Sequence, residues 1–215
     1  MGEATVTKRE RTRDSLLVAV QELLLDPEVT VLSVPQIVER AGVAQGTFYN
    51  YFQSLGEAIE AVGVVALLEH ARVLQTVIEG AADHTEVVAR SAKQTLMMSS
   101  CQPHAGRLLF ESGVPIDLLI SGMRAHLLQD IAVGVDAGVF TVSDFQVVAT
   151  IYVGTVVGAS MDLYRGRLEL DAIPAVVTHL LRLLGVNARK AERLAAVPQE
   201  FAPWRPFPLT LLGLE

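Results

Sequence analysis

Two groups of side chains in this sequence could do chemistry. A run from Gln45 to Tyr51 offers hydroxyls, amides and an approachable glycine backbone, groups that bind base edges and phosphates. Cys101 and His104 stand three residues apart, a spacing that could bring a thiolate and an imidazole together. No acidic residue or further ligand completes a metal set or a nucleophile with its orienting group. The pair therefore predicts no metal and no catalytic residues, and nothing else in the sequence implies a cofactor.

Two short helices must position the first group. Ser33 can cap a first helix, and Gly42 allows the left-handed conformation that ends it. A second helix is predicted from Ala44 to about Phe52. Two short helices joined by a turn containing glycine are typical of a helix-turn-helix, whose second helix enters the major groove of DNA. A helical hairpin inside a core is the alternative, and two tyrosines beside an asparagine argue against it.

The stretch IVERAGVAQGTFYNYFQS, from Ile37 to Ser54, resembles the TetR-type (tetracycline-repressor-like) transcriptional regulators. The resemblance implies an all-α fold with a three-helix DNA-binding head, expected over residues 1–54. It also implies an all-helical body over residues 55–215 that binds a ligand and forms a homodimer. Members of this family release DNA when a small molecule binds, so the implied partners are double-stranded operator DNA and a small apolar effector.

Basic residues before the first predicted helix form a second candidate DNA contact. Four positive charges fall within six positions, just ahead of a helix expected over 12–25. They could be a phosphate-gripping arm or simply a solvated helix start, and the sequence leaves both open. The predicted DNA-binding residues are Lys8, Arg9, Arg11, Arg13, Ser33, Ala44, Gln45, Gly46, Thr47, Tyr49, Asn50, Tyr51 and Ser54.

One departure from the family pattern concerns charge. Relatives often carry a basic residue in the recognition helix and another just after it, whereas Gln45 and Leu55 stand at those places here. No Lys or Arg occurs between Ala41 and Ala71. Because each phosphate contact adds about one unit to the salt dependence of binding, we expect an unusually shallow dependence.

The rest of the chain reads as a series of helices. They are predicted over 57–79, 85–99, 103–111, 116–137, 144–165, 173–184 and 188–196. The helices over 144–165 and 173–184 are strongly apolar, and they either build a four-helix dimer interface or bury themselves within one subunit. The tail from Pro198 to Glu215 combines four prolines with large apolar residues, and we expect it to dock on the body.

Flexible and polarizable apolar side chains, together with a few that end in a polar group, could line an effector pocket in the body. For each of them, ordinary core packing is the alternative. His126 and Asp130, one helical turn apart, could form a hydrogen-bonded pair. The predicted ligand-binding residues are Met97, Cys101, Phe110, Met123, His126, Leu127, Tyr152 and Thr155.

Composition limits the remaining possibilities. A net charge of −7 excludes a protein that coats nucleic acid, so any DNA contact must be local. One cysteine and the absence of an apolar signal segment indicate a cytoplasmic protein. The apolar segment from Phe145 to Met161 has 17 residues, fewer than the roughly 20 that span a membrane, so no membrane association is expected. A small helical enzyme or lipid-handling protein is the alternative to a regulator.

Overall fold

The computed structural model describes residues 7–211. Over this range the chain forms α-helices, one short 3-10 helix over Leu170–Ala172 and no strand, which confirms the all-α prediction. The α-helices are α1 Lys8–Leu25, α2 Val34–Ala41, α3 Gln45–Tyr49, α4 Leu55–Ile78, α5 His84–Cys101, α6 Pro103–Phe110, α7 Ile116–Asp136, α8 Phe145–Tyr164, α9 Ile173–Leu183 and α10 Ala188–Ala196.

The chain divides into two compact units. Within the described range, the first unit comprises residues 7–70, 107–118 and 205–211. The second unit comprises residues 71–106 and 119–204. The first unit thus holds α1 to α3 and most of α4, together with the end of the described chain.

The first helix begins earlier than the sequence predicted. Thr7 accepts a hydrogen bond from the Glu10 amide through Oγ1 (3.2 Å), and its own amide donates to Glu10 Oε2 (2.7 Å). This reciprocal capping box starts α1 at Lys8 rather than at Thr12. The four basic residues are therefore part of a helix and not of an arm.

Large apolar side chains hold the first three helices together. α1 packs against α2, and α2 packs against α3. Each helix contributes to one buried core, and the side chains with no measurable exposure are Leu16, Leu17, Val20, Ile37 and Phe48. Removing this much apolar surface from water is the main stabilisation available to so short a recognition helix.

Three polar side chains buried in the first unit bind the end of the described chain. Gln21 on α1 accepts from the Leu209 amide and donates to its carbonyl, both at 2.8 Å. The Leu211 amide donates to Asp14 Oδ1 at 2.7 Å. On α4, the Glu69 carboxylate has no exposed surface and accepts from the Arg205 amide (2.7 Å) and from its Nε (2.9 Å).

The tail was predicted to dock on the body. It contacts the second unit through residues 199–204 and is part of the first unit over residues 205–211. Gln199 and Ala202 bind α5 in the second unit, where Ala202 donates to Gln94 Oε1 and accepts from its Nε2. The Trp204 amide donates to Gln102 at 2.9 Å. Residues 205–211 belong to the first unit instead, because polar side chains there bind the backbone of this segment. Residues 212–215 lie outside the described range.

Packing in the second unit centres on α5, α8 and α9. α5 lies against both α8 and α9, and α10 lies against α9. The Ser99 hydroxyl on α5 donates to the Ser160 carbonyl on α8 at 3.0 Å. Val177, Leu180 and Leu181 of α9 are buried among these helices, so the apolar repeat of α9 is used within the subunit.

One face of α8 is apolar and uncovered. Val147 and Ile151 are about half exposed, at 52% and 50%. Gly154 and Gly158 continue the same face at helical spacing, and a Cβ added to either would meet no atom within 4 Å. The face is thus open to close approach by another molecule.

Within residues 7–211, three helices have the length and apolar composition of membrane-spanning segments. They are α4, α7 and α8, with mean hydropathies of 1.5, 1.2 and 1.4 over an 18-residue window. The segment from Phe145 to Met161 was predicted to be too short to span a membrane. This prediction was wrong, because α8 extends over 20 residues. The ion-paired Glu69 on α4 and the Ser99–Ser160 hydrogen bond show that α4 and α8 pack against protein along those faces.

Candidate functional site

The turn between α2 and α3 has the predicted geometry. Gly42 adopts φ 67° and ψ 33°, the left-handed conformation that glycine takes without strain, and its amide donates to the last carbonyls of α2. Ser33 lies at the N-cap of α2, but its hydroxyl donates to Gln36 Oε1 at 2.6 Å and caps no backbone amide, contrary to expectation.

The recognition helix is shorter than predicted. Regular α-helix ends at Tyr49 and not at about Phe52. The Asn50 amide donates to the Thr47 carbonyl at 3.1 Å, and the Tyr51 amide donates to Phe48 at 3.0 Å. These bonds to the third preceding residue tighten the last turn, as is common at helix ends.

Phe48 anchors this helix from behind. Its ring is fully buried, with the ring of Tyr49 edge-on at 5.4 Å and the ring of Phe52 at 5.5 Å. Tyr49 itself is 54% exposed, although its ring contacts the ring of Phe48. A buried aromatic residue therefore fixes the orientation of a polar outer face.

That outer face contains most of the residues predicted to bind DNA. Thr47 and Tyr51 are half-buried. A Cβ added at Gly46 would meet nothing within 4 Å, so the backbone there is open to a ligand. The exposed members are Ala44, Gln45, Gly46, Tyr49, Asn50 and Ser54.

The basic residues of α1 divide into two kinds. Lys8, Arg9 and Arg11 are exposed, and they remain available to an anionic partner. Arg13 is half-buried, with its guanidinium carbon 5.8 Å from the centre of the Phe52 ring. Arg13 thus packs on an aromatic face in a cation–π contact, a structural role that the sequence analysis did not assign to it.

The residues predicted to line an effector pocket do not share one environment. Leu127 and Tyr152 are buried, and Met97 and Met123 are half-buried in the second unit. Cys101, His126 and Thr155 are exposed, and the Thr155 hydroxyl donates to the Ile151 carbonyl of its own helix. Phe110 belongs to the first unit.

A polar cluster near Tyr152 replaces the pair expected between His126 and Asp130. The partner of Asp130 is His84, whose Nε2 lies 3.2 Å from Asp130 Oδ1. Burial raises the pKa of the Asp130 carboxyl, and the neighbouring His84 and His126 oppose this rise. His84 was missed because 46 residues separate it from its partner.

The environment of this cluster is otherwise apolar. The His84 ring lies edge-on to Phe140, with centroids 6.2 Å apart. Burial, reinforced by the Asp130 charge, raises the pKa of Tyr152, so its hydroxyl is a neutral donor and acceptor. Gly134 is required here because a Cβ would lie 1.9 Å from a Phe140 ring carbon.

Cys101, the cysteine of the pair with His104, is not a low-pKa thiol. Cys101 is exposed at the end of α5, and partial burial of its sulfur raises the pKa of the thiol. A raised pKa keeps the thiol protonated and therefore a poor nucleophile. Across residues 7–211, no three His, Cys, Asp or Glu side chains group closely enough to hold a metal ion.

Two family models match the sequence. Residues 83–197 match the model described as "Tetracyclin repressor-like, C-terminal domain". Residues 29–62 match the model described as "Bacterial regulatory proteins, tetR family", and this stretch contains α2, α3 and the turn between them. The C-terminal model alone covers more than half of the chain.

Solved structures show the same fold. A structure of RolR in complex with the ligand resorcinol superposes with a TM-score of 0.74 at 26% identity, covering 91% of this chain and 98% of RolR. NalD, the secondary repressor of the MexAB-OprM multidrug efflux pump in Pseudomonas aeruginosa, gives a TM-score of 0.61 at 19% identity. That match covers 83% of this chain and 98% of NalD, and it supports the fold alone.

A curated relative matches part of the chain. This relative is the uncharacterized HTH-type transcriptional regulator YwcC of Bacillus subtilis (strain 168). The two sequences are 31% identical over 103 residues, which is 48% of this chain. The match spans 43% of YwcC, less than half of its length.

Proposed function

This chain belongs to the tetR family of bacterial transcriptional regulators, and we propose that it is a homodimeric repressor released from a palindromic operator by a small apolar molecule. The observation that carries the proposal is the exposed face of α3, which the buried Phe48 holds toward solvent. A cytoplasmic location follows from the family, since operator DNA is the partner.

On this proposal, the outer face of α3 enters the major groove. Asn50 presents an amide that suits adenine, and the Tyr49 hydroxyl reaches bases or phosphates. Ser33, Tyr51 and Ser54 supply further polar groups beside this helix. Two copies of α3 about 34 Å apart would read successive major grooves of a palindromic site.

Operator binding is expected to depend weakly on salt. Within the described residues, the first unit offers Lys8, Arg9 and Arg11 as exposed basic residues for phosphate contacts, since Arg13 packs on Phe52 and Arg40 binds Glu22 at 3.2 Å. Three phosphate contacts per subunit limit the slope of log K against log salt to about −5 for a dimer. Fluorescence anisotropy with operator DNA at several salt concentrations measures this slope.

Gln45→Lys provides the matched control for the salt experiment. Gln45 is exposed at the start of α3, where relatives often carry a basic residue. The added charge should steepen the slope by about two units in a dimer. A wild-type slope near −10 would contradict the proposal that each subunit makes only three phosphate contacts.

The dimer is proposed to form through the uncovered face of α8. Val147 and Ile151 supply apolar area there, and Gly154 and Gly158 allow a second helix to approach closely. From the sequence, α8 and α9 were both predicted to build the dimer interface. The large apolar residues of α9 are, however, buried within the subunit. α9 therefore contributes mainly the edges of the interface.

Ile151→Glu is expected to convert the dimer into a monomer. Burying an unpaired carboxylate at a two-fold interface places two negative charges close together in a desolvated site. Light scattering coupled to size exclusion at micromolar concentration measures the oligomeric state. Leu170→Glu, at a residue 48% exposed elsewhere in the second unit, is the control and should remain dimeric. A wild-type monomer would contradict the proposal.

The effector is proposed to bind near the His84–Asp130–Tyr152 cluster. Of the predicted pocket residues, Tyr152, Leu127, Met97 and Met123 remain in this proposal because their side chains are buried or half-buried in the second unit. A mostly apolar molecule with a hydroxyl would match buried apolar side chains with few polar groups. RolR, which is 26% identical in sequence to this chain, binds resorcinol, a molecule of this class.

A gel shift with the DNA flanking its own gene tests the function. The protein should shift a palindromic fragment, and phenolic compounds such as resorcinol should release it. Asp130→Asn should weaken the response to the effector without abolishing the shift, because Asp130 lies in the second unit. Failure to bind any fragment would favour the alternative, a helical enzyme or lipid-handling protein.

A further inference from the structure

The second unit contains a second candidate ligand site. A cavity of about 160 Å³ opens between α5, the end of α4 and the segment that follows α10. Three charged side chains of α5 line it, namely Glu86, Arg90 and Lys93. Gln199 closes it from the tail. None of these residues belongs to the recognition helix or to the His84–Asp130–Tyr152 cluster.

Lys93 is the unusual member of this set. The residue is only 5% exposed, and Nζ donates to the Leu194 carbonyl (2.7 Å) and the Val197 carbonyl (2.6 Å). An ammonium group has three donors, so one N–H has no partner among the described residues. Burial and the neighbouring Arg90 charge lower the pKa of Lys93, and the Glu86 charge opposes this shift.

The charges around the cavity do not cancel. Arg90 donates to the Glu86 carboxylate through both Nε (3.0 Å) and Nη2 (2.5 Å), so these two groups neutralise each other. Lys93 has only neutral carbonyl partners in the described structure. One positive charge therefore remains, and a buried cation is stabilised by an anion placed beside it.

Gln199 adds an unsatisfied acceptor to the same cavity. Its Nε2 donates to the Arg90 carbonyl at 3.1 Å. Its Oε1 is buried and accepts no hydrogen bond from any described residue. Buried acceptors are nearly always paired, so a donor from outside the protein chain is needed there.

We propose that this cavity binds a small hydroxylated carboxylic acid. The carboxylate accepts from the third N–H of Lys93, and the hydroxyl donates to Gln199 Oε1. The hydrocarbon part lies against Ala89 and Leu194, which also line the cavity. The size agrees, because an engineered cavity of about 150 Å³ holds benzene. This site is additional to the effector cluster and does not depend on the proposed function.

Calorimetric titration of the full chain with four kinds of probe tests the site. The probes are the hydroxybenzoate isomers, benzoate, which lacks the hydroxyl, phenol, which lacks the carboxylate, and acetate, which lacks the ring. At least one hydroxybenzoate should bind more tightly than all three simpler probes. Lys93→Met should weaken its binding by about 10- to 100-fold, the range for loss of a charged hydrogen bond.

Gln199→Leu is the sharper variant, because it removes the acceptor for the hydroxyl and leaves Lys93 in place, although it also removes the hydrogen bond from Nε2 to the Arg90 carbonyl. It should bring hydroxybenzoate down to the affinity of benzoate while benzoate binding stays unchanged. Arg189→Met, at an exposed position on α10, should leave all affinities unchanged.

Two results would overturn the proposal. One is the absence of binding by any of the acids, which would mean that ordered water alone fills the cavity. The other is acid binding that neither Lys93→Met nor Gln199→Leu affects. If circular dichroism shows that Lys93→Met does not fold, the comparison of hydroxybenzoate with benzoate in Gln199→Leu decides the question.

Discussion

Replacing Arg205 by alanine should lower the free energy of unfolding by about 3–5 kcal/mol, the cost of leaving one member of a buried ion pair without its partner. Glu69 has no exposed surface, and its carboxylate accepts from both the side chain and the amide of Arg205. The variant removes a positive charge that lies 2.9 Å from that carboxylate. Urea denaturation followed by circular dichroism measures the change.

Two further variants make this prediction specific to the ion pair. Arg189→Ala removes an exposed arginine from α10 and should change stability little, within about 0.5 kcal/mol. The double variant Glu69→Leu with Arg205→Met replaces both charges by apolar groups and should recover most of the loss. An Arg205→Ala protein as stable as the wild type would show that Glu69 does not need this partner.

The double variant Tyr49→Ala with Asn50→Ala should bind operator DNA about 100-fold more weakly, because each lost base contact costs about 1–3 kcal/mol. Both side chains are exposed, so the fold should be unaffected. Binding to unrelated DNA should be nearly unchanged, because the basic residues of α1 supply that part of the affinity. Anisotropy titrations with operator and scrambled DNA separate the two effects.

Leu170→Ala is the control for this experiment, since it removes an exposed apolar side chain from the second unit. It should leave operator affinity unchanged. Equal losses on operator and scrambled DNA would show that α3 does not read sequence. Unchanged affinity of the double variant for its operator would place the DNA contact elsewhere.

Local signals in the sequence predicted the motif well. Gly42 ends α2 in the expected conformation, and the apolar residues Phe48 and Phe52 are buried. These features depend on neighbours within a few residues, which a sequence displays directly. The start of α1 was placed too late although Thr7 and Glu10 form a capping-box pattern that the sequence contains.

Pairings between distant residues could not be predicted in this way. Gln21 binds Leu209 across 188 positions, and nothing near Gln21 in sequence points to that partner. The same holds for His84 and Asp130. Lys93 gave a weak local signal, because it follows Ala89 by four residues on the buried stripe of α5. A charged residue on an apolar stripe indicates an unusual environment but does not name its partners.

The binding of the C-terminal segment to Asp14, Gln21 and Glu69 has an evolutionary consequence. Buried polar groups are costly unless they are hydrogen-bonded, and all three side chains form hydrogen bonds to the segment over 205–211. Homologues whose chains end earlier should therefore carry apolar residues at the equivalents of positions 14, 21 and 69. The tail and these three positions should have been gained or lost together during the divergence of the family.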